Sequence, residues 1–140
     1  MNIILDTNVI LDAFTSREPW NKGAEKIFLM GANQLVNLYI TASSATDIYY
    51  LLRKYLHDTE SAKQGMGKLL MLMGVLDVTG KDCIDALSSS IKDYEDAVME
   101  KVAMGKGIDY IVTRNITDFQ AGSVKVILPD DFIKFVEENE

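Results

Sequence analysis

Four aspartates occupy positions in this chain where a parallel sheet would gather their side chains. Asp6 ends the first apolar run, and Asp47, Asp96 and Asp118 each lie beside a different predicted strand or near the start of a different predicted helix. Carboxylate oxygens are the ligands that hard ions such as Mg²⁺ and Mn²⁺ prefer. Ions bound in this way activate water and stabilise the leaving oxygen of a phosphodiester. The four acids therefore indicate a divalent-metal site suited to phosphodiester hydrolysis.

The elements that must position these acids follow from the apolar pattern. Strands are predicted at 2–6, 38–41, 75–78, 109–113 and 125–128, and helices at 8–14, 19–32, 43–55, 59–73, 82–88, 93–104 and 129–137. Strands that alternate with helical patterns imply crossover connections and a mostly parallel sheet between helix layers. At 140 residues, without repeat or linker, the chain is predicted to be a single domain spanning residues 1–140.

One rim of the predicted sheet can hold all four acids. In an open parallel sheet, ligands bind beyond the carboxyl ends of the strands, where the crossover helices begin. Asp6 is predicted as the last residue of the first strand, and Asp47 in the first turn of the helix after the second, which Ser43 or Ser44 would cap. Asp96 is predicted near the start of the helix that leads into the fourth strand, and Asp118 in the loop just past it.

Repulsion among the four carboxylates favours a bound cation at this rim. Two carboxylates 4 Å apart repel by about 4 kcal/mol at an effective dielectric constant of about 20, so a cation or a bound proton is needed. A zinc site is disfavoured, since the only histidine, His57, falls in a turn away from the acids and Cys83 is the only cysteine. The lone cysteine also indicates a reducing compartment.

Composition narrows the class of protein further. A net charge of −7 argues against a generic nucleic-acid coat protein, although not against an enzyme that acts on nucleic acid. Neither a signal peptide nor an apolar run of membrane-spanning length is predicted, so we expect a cytoplasmic protein without a membrane partner.

Four segments carry a resemblance to a known family. DTNVILD, TDIYYLLRK, DYEDAVMEKVA and IVTRNITDF, in this order and spacing, resemble the PIN-domain ribonucleases, which include VapC-like and PilT N-terminus-like proteins. The resemblance covers essentially the whole chain. It implies a three-layer α/β/α sandwich with a central, mostly parallel sheet of about five strands, and a Mg²⁺- or Mn²⁺-dependent endoribonuclease. It also implies an RNA substrate, a homodimer and, for the toxin branch of the family, an antitoxin partner.

The same resemblance implies roles for individual residues. The family's catalytic acids carry over onto Asp6, Asp47, Asp96 and Asp118. Of these, Asp6, Asp96 and Asp118 would hold the metal ion, and Asp47 would bind or orient the ion or its attacking water. Position 47 departs from the commonest pattern, in which the second acid is Glu. Asn8 and Thr113 match accessory polar positions of the family.

Other side chains near the acids leave two interpretations open. Asp93 is an accessory acid one turn before Asp96, or only an N-cap. Arg114 contacts a substrate phosphate, or balances the neighbouring acids. Trp20 packs inside or forms part of a partner surface, with packing favoured. Asp12 is expected to be solvated or capping.

Two further functions compete with metal-dependent hydrolysis. The chain could be a catalytically inactive PIN-like module that binds RNA or protein. Alternatively, it could transfer phosphoryl groups through an aspartyl intermediate on Asp6. Phosphatases of that type need a second aspartate two residues further on, and this chain has Asn8 there.

Overall fold

The computed structural model describes residues 1–119 and 121–139. Its strands are β1 (Asn2–Leu5), β2 (Asn37–Thr41), β3 (Gly74–Leu76), β4 (Tyr110–Val112) and β5 (Val126–Ile127). Its α-helices are α1 (Thr7–Phe14), α2 (Asn21–Ala32), α3 (Ala42–Leu56), α4 (Thr59–Leu72), α5 (Gly80–Asp85), α6 (Tyr94–Gly105), α7 (Ile116–Phe119) and α8 (Pro129–Glu138), with a 3₁₀ turn at Ala86–Ser88.

The five strands form one sheet in the order β3-β2-β1-β4-β5, and each of these pairings is parallel. β1 lies at the centre, where Ile3 pairs with Leu38 of β2 and Ile4 pairs with Ile111 of β4. The chain fills one half of the sheet from β1 to β3 and the other half from β4 to β5. The order therefore reverses between β1 and β4, which is where open α/β sheets bind ligands.

Helices cover both faces of the sheet and bury two separate apolar clusters. Ile3 and Leu5 of β1 point into the larger cluster, with residues from α1, α2, α3, α4 and α8. Ile4, between them, points to the opposite face, where residues of α6 dominate a smaller cluster. The alternation follows from the two-residue period of a strand. The prediction of a three-layer α/β/α sandwich with a parallel sheet of five strands is confirmed.

Three local predictions were wrong. α2 begins at Asn21 rather than at Pro19, because a separate turn precedes it and the Asn21 N–H donates to the Arg17 carbonyl at 2.9 Å. α3 is capped by Thr41 and not by Ser43 or Ser44, because β2 runs directly into the helix. The Thr41 hydroxyl accepts a hydrogen bond from the Ser44 N–H at 3.2 Å.

A third correction concerns the segment after β4, where a loop was predicted. Residues Ile116–Phe119 form the short helix α7, in which the Asp118 N–H donates to the Asn115 carbonyl at 3.0 Å. Asp118 therefore sits on a helical turn, which holds its backbone in a defined place beyond the end of β4.

A buried carboxylate ties the segment after α7 to α6. Glu100 is 2% exposed, and its Oε2 accepts a hydrogen bond from the Ser123 N–H at 2.7 Å. Its Oε1 accepts another from the Ser89 hydroxyl at 2.7 Å. A Cβ atom at Gly122 would lie 2.5 Å from Glu100 Oε2 and 2.7 Å from Ile91 Cδ1, so a larger residue there would displace these side chains.

None of the helices in the described ranges is long and apolar enough to cross a membrane.

Candidate active site

Asp6 lies just beyond β1, at the point where the strand order reverses. It is the N-cap of α1, and its Oδ1 accepts a hydrogen bond from the Thr7 N–H at 2.8 Å. Its Oδ2 accepts hydrogen bonds from the Thr113 hydroxyl at 2.8 Å and from the Asn8 amide at 3.2 Å. The side chain is thus fixed by donors from both α1 and the end of β4, although it is only 8% exposed.

The surroundings of Asp6 disfavour its charged form. Burial is the largest cause that raises the pKa of Asp6, and the hydrogen bonds from Thr113 and Thr7 partly oppose it. The negative charges of Asp118 and Asp93 raise this pKa further. Asp6 therefore lies within electrostatic reach of acids from two other segments.

Two of the predicted acids stand at the start of α6. Asp93 is the N-cap, as one of the two interpretations of its sequence position required, and its Oδ1 accepts a hydrogen bond from the Asp96 N–H at 3.0 Å. The pKa of Asp96 is raised to about 7, first by desolvation and then by the charges of Asp6, Asp93 and Asp118. Asp6, Asp93, Asp96 and Asp118 therefore lie near enough for charges among them to interact.

Asp47 stands apart from this group. It is the sixth residue of α3, so the prediction that it lies in the first turn was wrong; Thr41 starts the helix earlier than expected. Asp47 meets Glu95 of α6, whose pKa is raised to about 7 by partial burial, by a hydrogen bond with Asp47, and by the charges of nearby acids.

Glu95 was not predicted from the sequence to lie at this site. It directly precedes Asp96, so the acidic run DYED was a signal for it. Its partner Asp47, however, lies on a different helix, and nothing in the local sequence indicates that the two side chains meet. Through Glu95, Asp47 is connected to the acids at the start of α6.

The donor set fits a hard divalent ion in its chemistry. Every acidic ligand candidate offers oxygen, and mutual repulsion among these carboxylates is what a cation would relieve. Within residues 1–119 and 121–139, no three His, Cys, Asp or Glu side chains stand as a ready cluster for a metal ion. The acids are thus neighbours whose charges interact, without being closed around a common point.

Arg114, which follows Thr113, is held by a buried acid. Its Nε and Nη2 donate to the two carboxylate oxygens of Asp12 at 2.7 and 3.2 Å. Asp12 is only 1% exposed, so the expectation that it is solvated or capping was wrong. The Arg114 guanidinium carbon also lies 4.0 Å from the ring centroid of Trp20. Arg114 thus balances an acid, which was one of its two interpretations.

Comparison with known proteins gives the family of this arrangement. A family model described as PIN domain matches residues 2–117. A sequence search of curated proteins finds no significant match.

Solved structures share the fold at low sequence identity. VapBC2 from Rickettsia felis, bound to a DNA fragment from its promoter, is 17% identical, with a TM-score of 0.69 over 91% of this chain and 98% of that one. VapC20 from Mycobacterium tuberculosis, described as a sarcin-ricin loop cleaving toxin, is 16% identical, with a TM-score of 0.68 over 89% and 98%. A toxin–antitoxin complex from Klebsiella pneumoniae is 20% identical, with a TM-score of 0.65 over 91% and 97%.

Proposed function

This chain belongs to the PIN domain family, and from that premise we propose that it is a Mg²⁺- or Mn²⁺-dependent endoribonuclease. The observation that carries the proposal is the placement of Asp6. Its carboxylate is buried and fixed by three hydrogen bonds at the reversal point of the sheet, and acids from α6 and α7 raise its pKa. A protein without a use for these charges would gain stability by losing them.

Three acids are proposed to hold the ion: Asp6, Asp96 and Asp118. A bound divalent ion supplies a coordinated water of lowered pKa and positive charge beside the scissile phosphate. Asn8 and Thr113 orient Asp6, since both donate to its Oδ2. Asp93 caps α6 and so fixes the backbone of Asp96. Orientation of ligands by such supporting hydrogen bonds is a general feature of metal sites.

Asp47 is proposed to act together with Glu95. Aspartate is one methylene shorter than the glutamate that the family more often has at this position. Glu95 projects from the same turn of α6 as Asp96 and meets Asp47. The pair could therefore orient the attacking water, or take up its proton, from the side of α3.

The proposed partners are supported by the solved relatives. One structure similar to this chain is described as a toxin–antitoxin complex, and another as a toxin that cleaves the sarcin-ricin loop. We propose on this basis an RNA substrate and an antitoxin protein that inhibits the chain. A homodimer and a single-domain organisation remain predictions from the sequence.

Cleavage of a mixed set of structured RNAs tests the activity. We expect purified protein to cut RNA with Mn²⁺ and not with EDTA, and Asp6→Asn to abolish cleavage without unfolding the protein, because asparagine is also a good N-cap. Circular dichroism melting checks the fold. Asp77→Asn, at an exposed acid after β3, is the matched control and should cut like wild type. Full activity in Asp6→Asn would contradict the proposed role of Asp6 in cleavage.

A catalytically inactive PIN-like module is the second candidate. It is favoured by the lack, in the part of the chain that the structure describes, of three ligand side chains clustered tightly enough for an ion. Calorimetric titration with Mn²⁺ separates the two. Binding that is lost in Asp6→Asn supports the nuclease, and no binding at millimolar Mn²⁺ supports the inactive module.

A further inference from the structure

A cleft with one aromatic wall lies beside the candidate active site. Its volume is about 490 Å³, and it is lined by Pro19, Trp20, Arg114, Leu128, Pro129 and Asp130. Volumes of this order are typical of sites for small organic groups. We call it the Trp20 cleft.

Trp20 is exposed but firmly supported. The residue is 44% exposed, although tryptophan usually buries most of its surface. The Arg114 guanidinium lies 4.0 Å from its ring centroid, and Asp12 in turn fixes that guanidinium through two hydrogen bonds. The indole ring is thus presented to solvent by a cation that has little freedom to move.

Hydrogen bonds link the cleft to the candidate active site. The Arg114 N–H approaches the Asn8 side-chain oxygen at 3.5 Å, and the Asn8 amide donates to Asp6 Oδ2 at 3.2 Å. Two contacts therefore connect a wall of the cleft to the carboxylate at the centre of the site. The Trp20 cleft and the Asp6 carboxylate therefore belong to adjoining parts of the fold.

We propose that the Trp20 cleft binds one nucleobase of single-stranded RNA, next to the phosphate that the acidic site cuts. This inference rests on the proposed ribonuclease function. Unpaired bases stack on aromatic rings and on guanidinium planes, both of which this cleft contains.

The charges in the cleft favour a base over a phosphate. Arg114 is already paired with Asp12, and the carboxylate of Asp130 also lines the cleft. A phosphate there would be repelled by Asp130, whereas the exocyclic amino group of a base could donate a hydrogen bond to it. Arg17 Nε lies 3.7 Å from Asp12 Oδ1, and the Arg17 side chain is 46% exposed. Arg17 is therefore a nearby cation for a phosphate of the adjoining RNA backbone.

Intrinsic fluorescence offers a direct test, because Trp20 is the only tryptophan in the chain. Wild-type protein in EDTA, where no cleavage is expected, is titrated with a short single-stranded oligoribonucleotide of mixed sequence. A second titration uses an abasic oligomer of the same length. We expect strong quenching by the oligoribonucleotide and little by the abasic oligomer, since only a base can stack on the ring. Equal quenching by both, or no quenching, overturns the proposal.

Variants provide the second measurement, with binding followed by the anisotropy of end-labelled RNA. Trp20→Ala should weaken binding roughly tenfold, and Trp20→Phe by much less, because phenylalanine retains a stacking face. Tyr55→Ala, at another exposed aromatic near the far end of α3, is the matched control and should bind like wild type. Unchanged affinity in Trp20→Ala overturns the proposal. If that variant does not fold, the titrations of the wild type decide alone.

The two proposals fail separately. Base-dependent quenching without metal-dependent cleavage would retain the Trp20 cleft and reject the nuclease. Metal-dependent cleavage without quenching would retain the nuclease and reject the Trp20 cleft as a site for a base. Quenching by a bound protein segment, but not by RNA, would assign the cleft to a protein partner and reject the base.

Discussion

At the scale of single residues, the candidate site contains carboxyl groups whose charged forms are disfavoured by burial in the folded protein. Asp6, Asp96 and Glu95 all have a raised pKa, and burial is the first cause in each case. The folded protein therefore binds protons at these groups more tightly than the unfolded chain does. Stability must then depend on pH in a direction that these shifts determine.

We predict that the metal-free protein loses stability as the pH rises through about 7. In the unfolded chain these carboxyl groups titrate near pH 4, whereas Asp96 and Glu95 titrate at about 7 in the folded protein. The stabilising contribution is complete below the unfolded pKa and is lost as the pH rises through the folded pKa. Thermal unfolding in EDTA at about pH 5 and about pH 8 should show a lower Tm at the higher pH.

Asp96→Asn is the informative variant for this effect. It removes one of the two titrating groups, so its Tm should exceed that of wild type at the higher pH and should fall less between the two conditions. Asp77→Asn should behave like wild type, because Asp77 is exposed after β3. A fall in Tm that is the same in wild type and Asp96→Asn would contradict the prediction.

At the scale of elements, the position of α7 depends on a contact outside the acidic group. Glu100 of α6 holds Ser123, just after α7, and Ser89, just after the 3₁₀ turn. The ammonium group of Lys101 also approaches Glu100 Oε1, at 3.6 Å. Because α7 carries Asp118, this buried carboxylate supports a proposed metal ligand that it does not touch.

We predict that Glu100→Ala destabilises the protein by about 2 to 3 kcal/mol, because it removes hydrogen bonds to a charged group and leaves the Ser123 N–H without its acceptor. Glu100→Gln retains an acceptor and should lose less. Urea denaturation gives the free energy of unfolding. Glu25→Ala, at an exposed position on α2, should stay within about 0.5 kcal/mol of wild type. A loss of only about 0.5 kcal/mol in Glu100→Ala would show that the hydrogen bonds of Glu100 do not stabilise the protein.

The elements themselves could be predicted well from the sequence. The continuous run Ile3-Ile4-Leu5 is typical of a strand buried on both faces, and Ile48 and Leu52 repeat at the spacing of one helix face. α7 could not be predicted in this way, because four residues make only about one turn and carry no period.

The rim of the sheet could be predicted, but the pairing of its side chains could not. The strand-end position of Asp6 and the N-cap pattern of Asp93 are local signals. The structure places Asp6 one residue beyond β1, as the N-cap of α1, and Asp93 as the N-cap of α6. Asp12 pairs with Arg114, which is 102 positions away in the sequence. Because this partner is not local, Asp12 was predicted to be solvated or capping. Asp47 and Glu95 likewise belong to different helices.

At the scale of the whole molecule, binding of the proposed ion would be coupled to folding, because the acids come near one another only in the folded chain. A ligand that binds only the folded state stabilises it by about 2.7 kcal/mol at a concentration 100 times its Kd. We predict that Mn²⁺ raises the Tm of wild type and that Asp6→Asn loses most of this rise. Differential scanning calorimetry with Mn²⁺ and with EDTA measures both. An equal rise in both proteins would place the ion elsewhere.

The hydrogen bond between Thr113 and Asp6 spans 107 positions of the chain, and β1 is completed on that side only by β4. Long-range parallel pairings of this kind form late, since the intervening chain must first be closed into a loop. During synthesis, α1, α2 and α3 can leave the ribosome and begin to pack while Asp6 still lacks both Thr113 and the acids of α6 and α7. A nascent chain that stops short of β4 thus carries its first acid without a site, so this topology delays any nuclease activity until β4 and α7 have been synthesised.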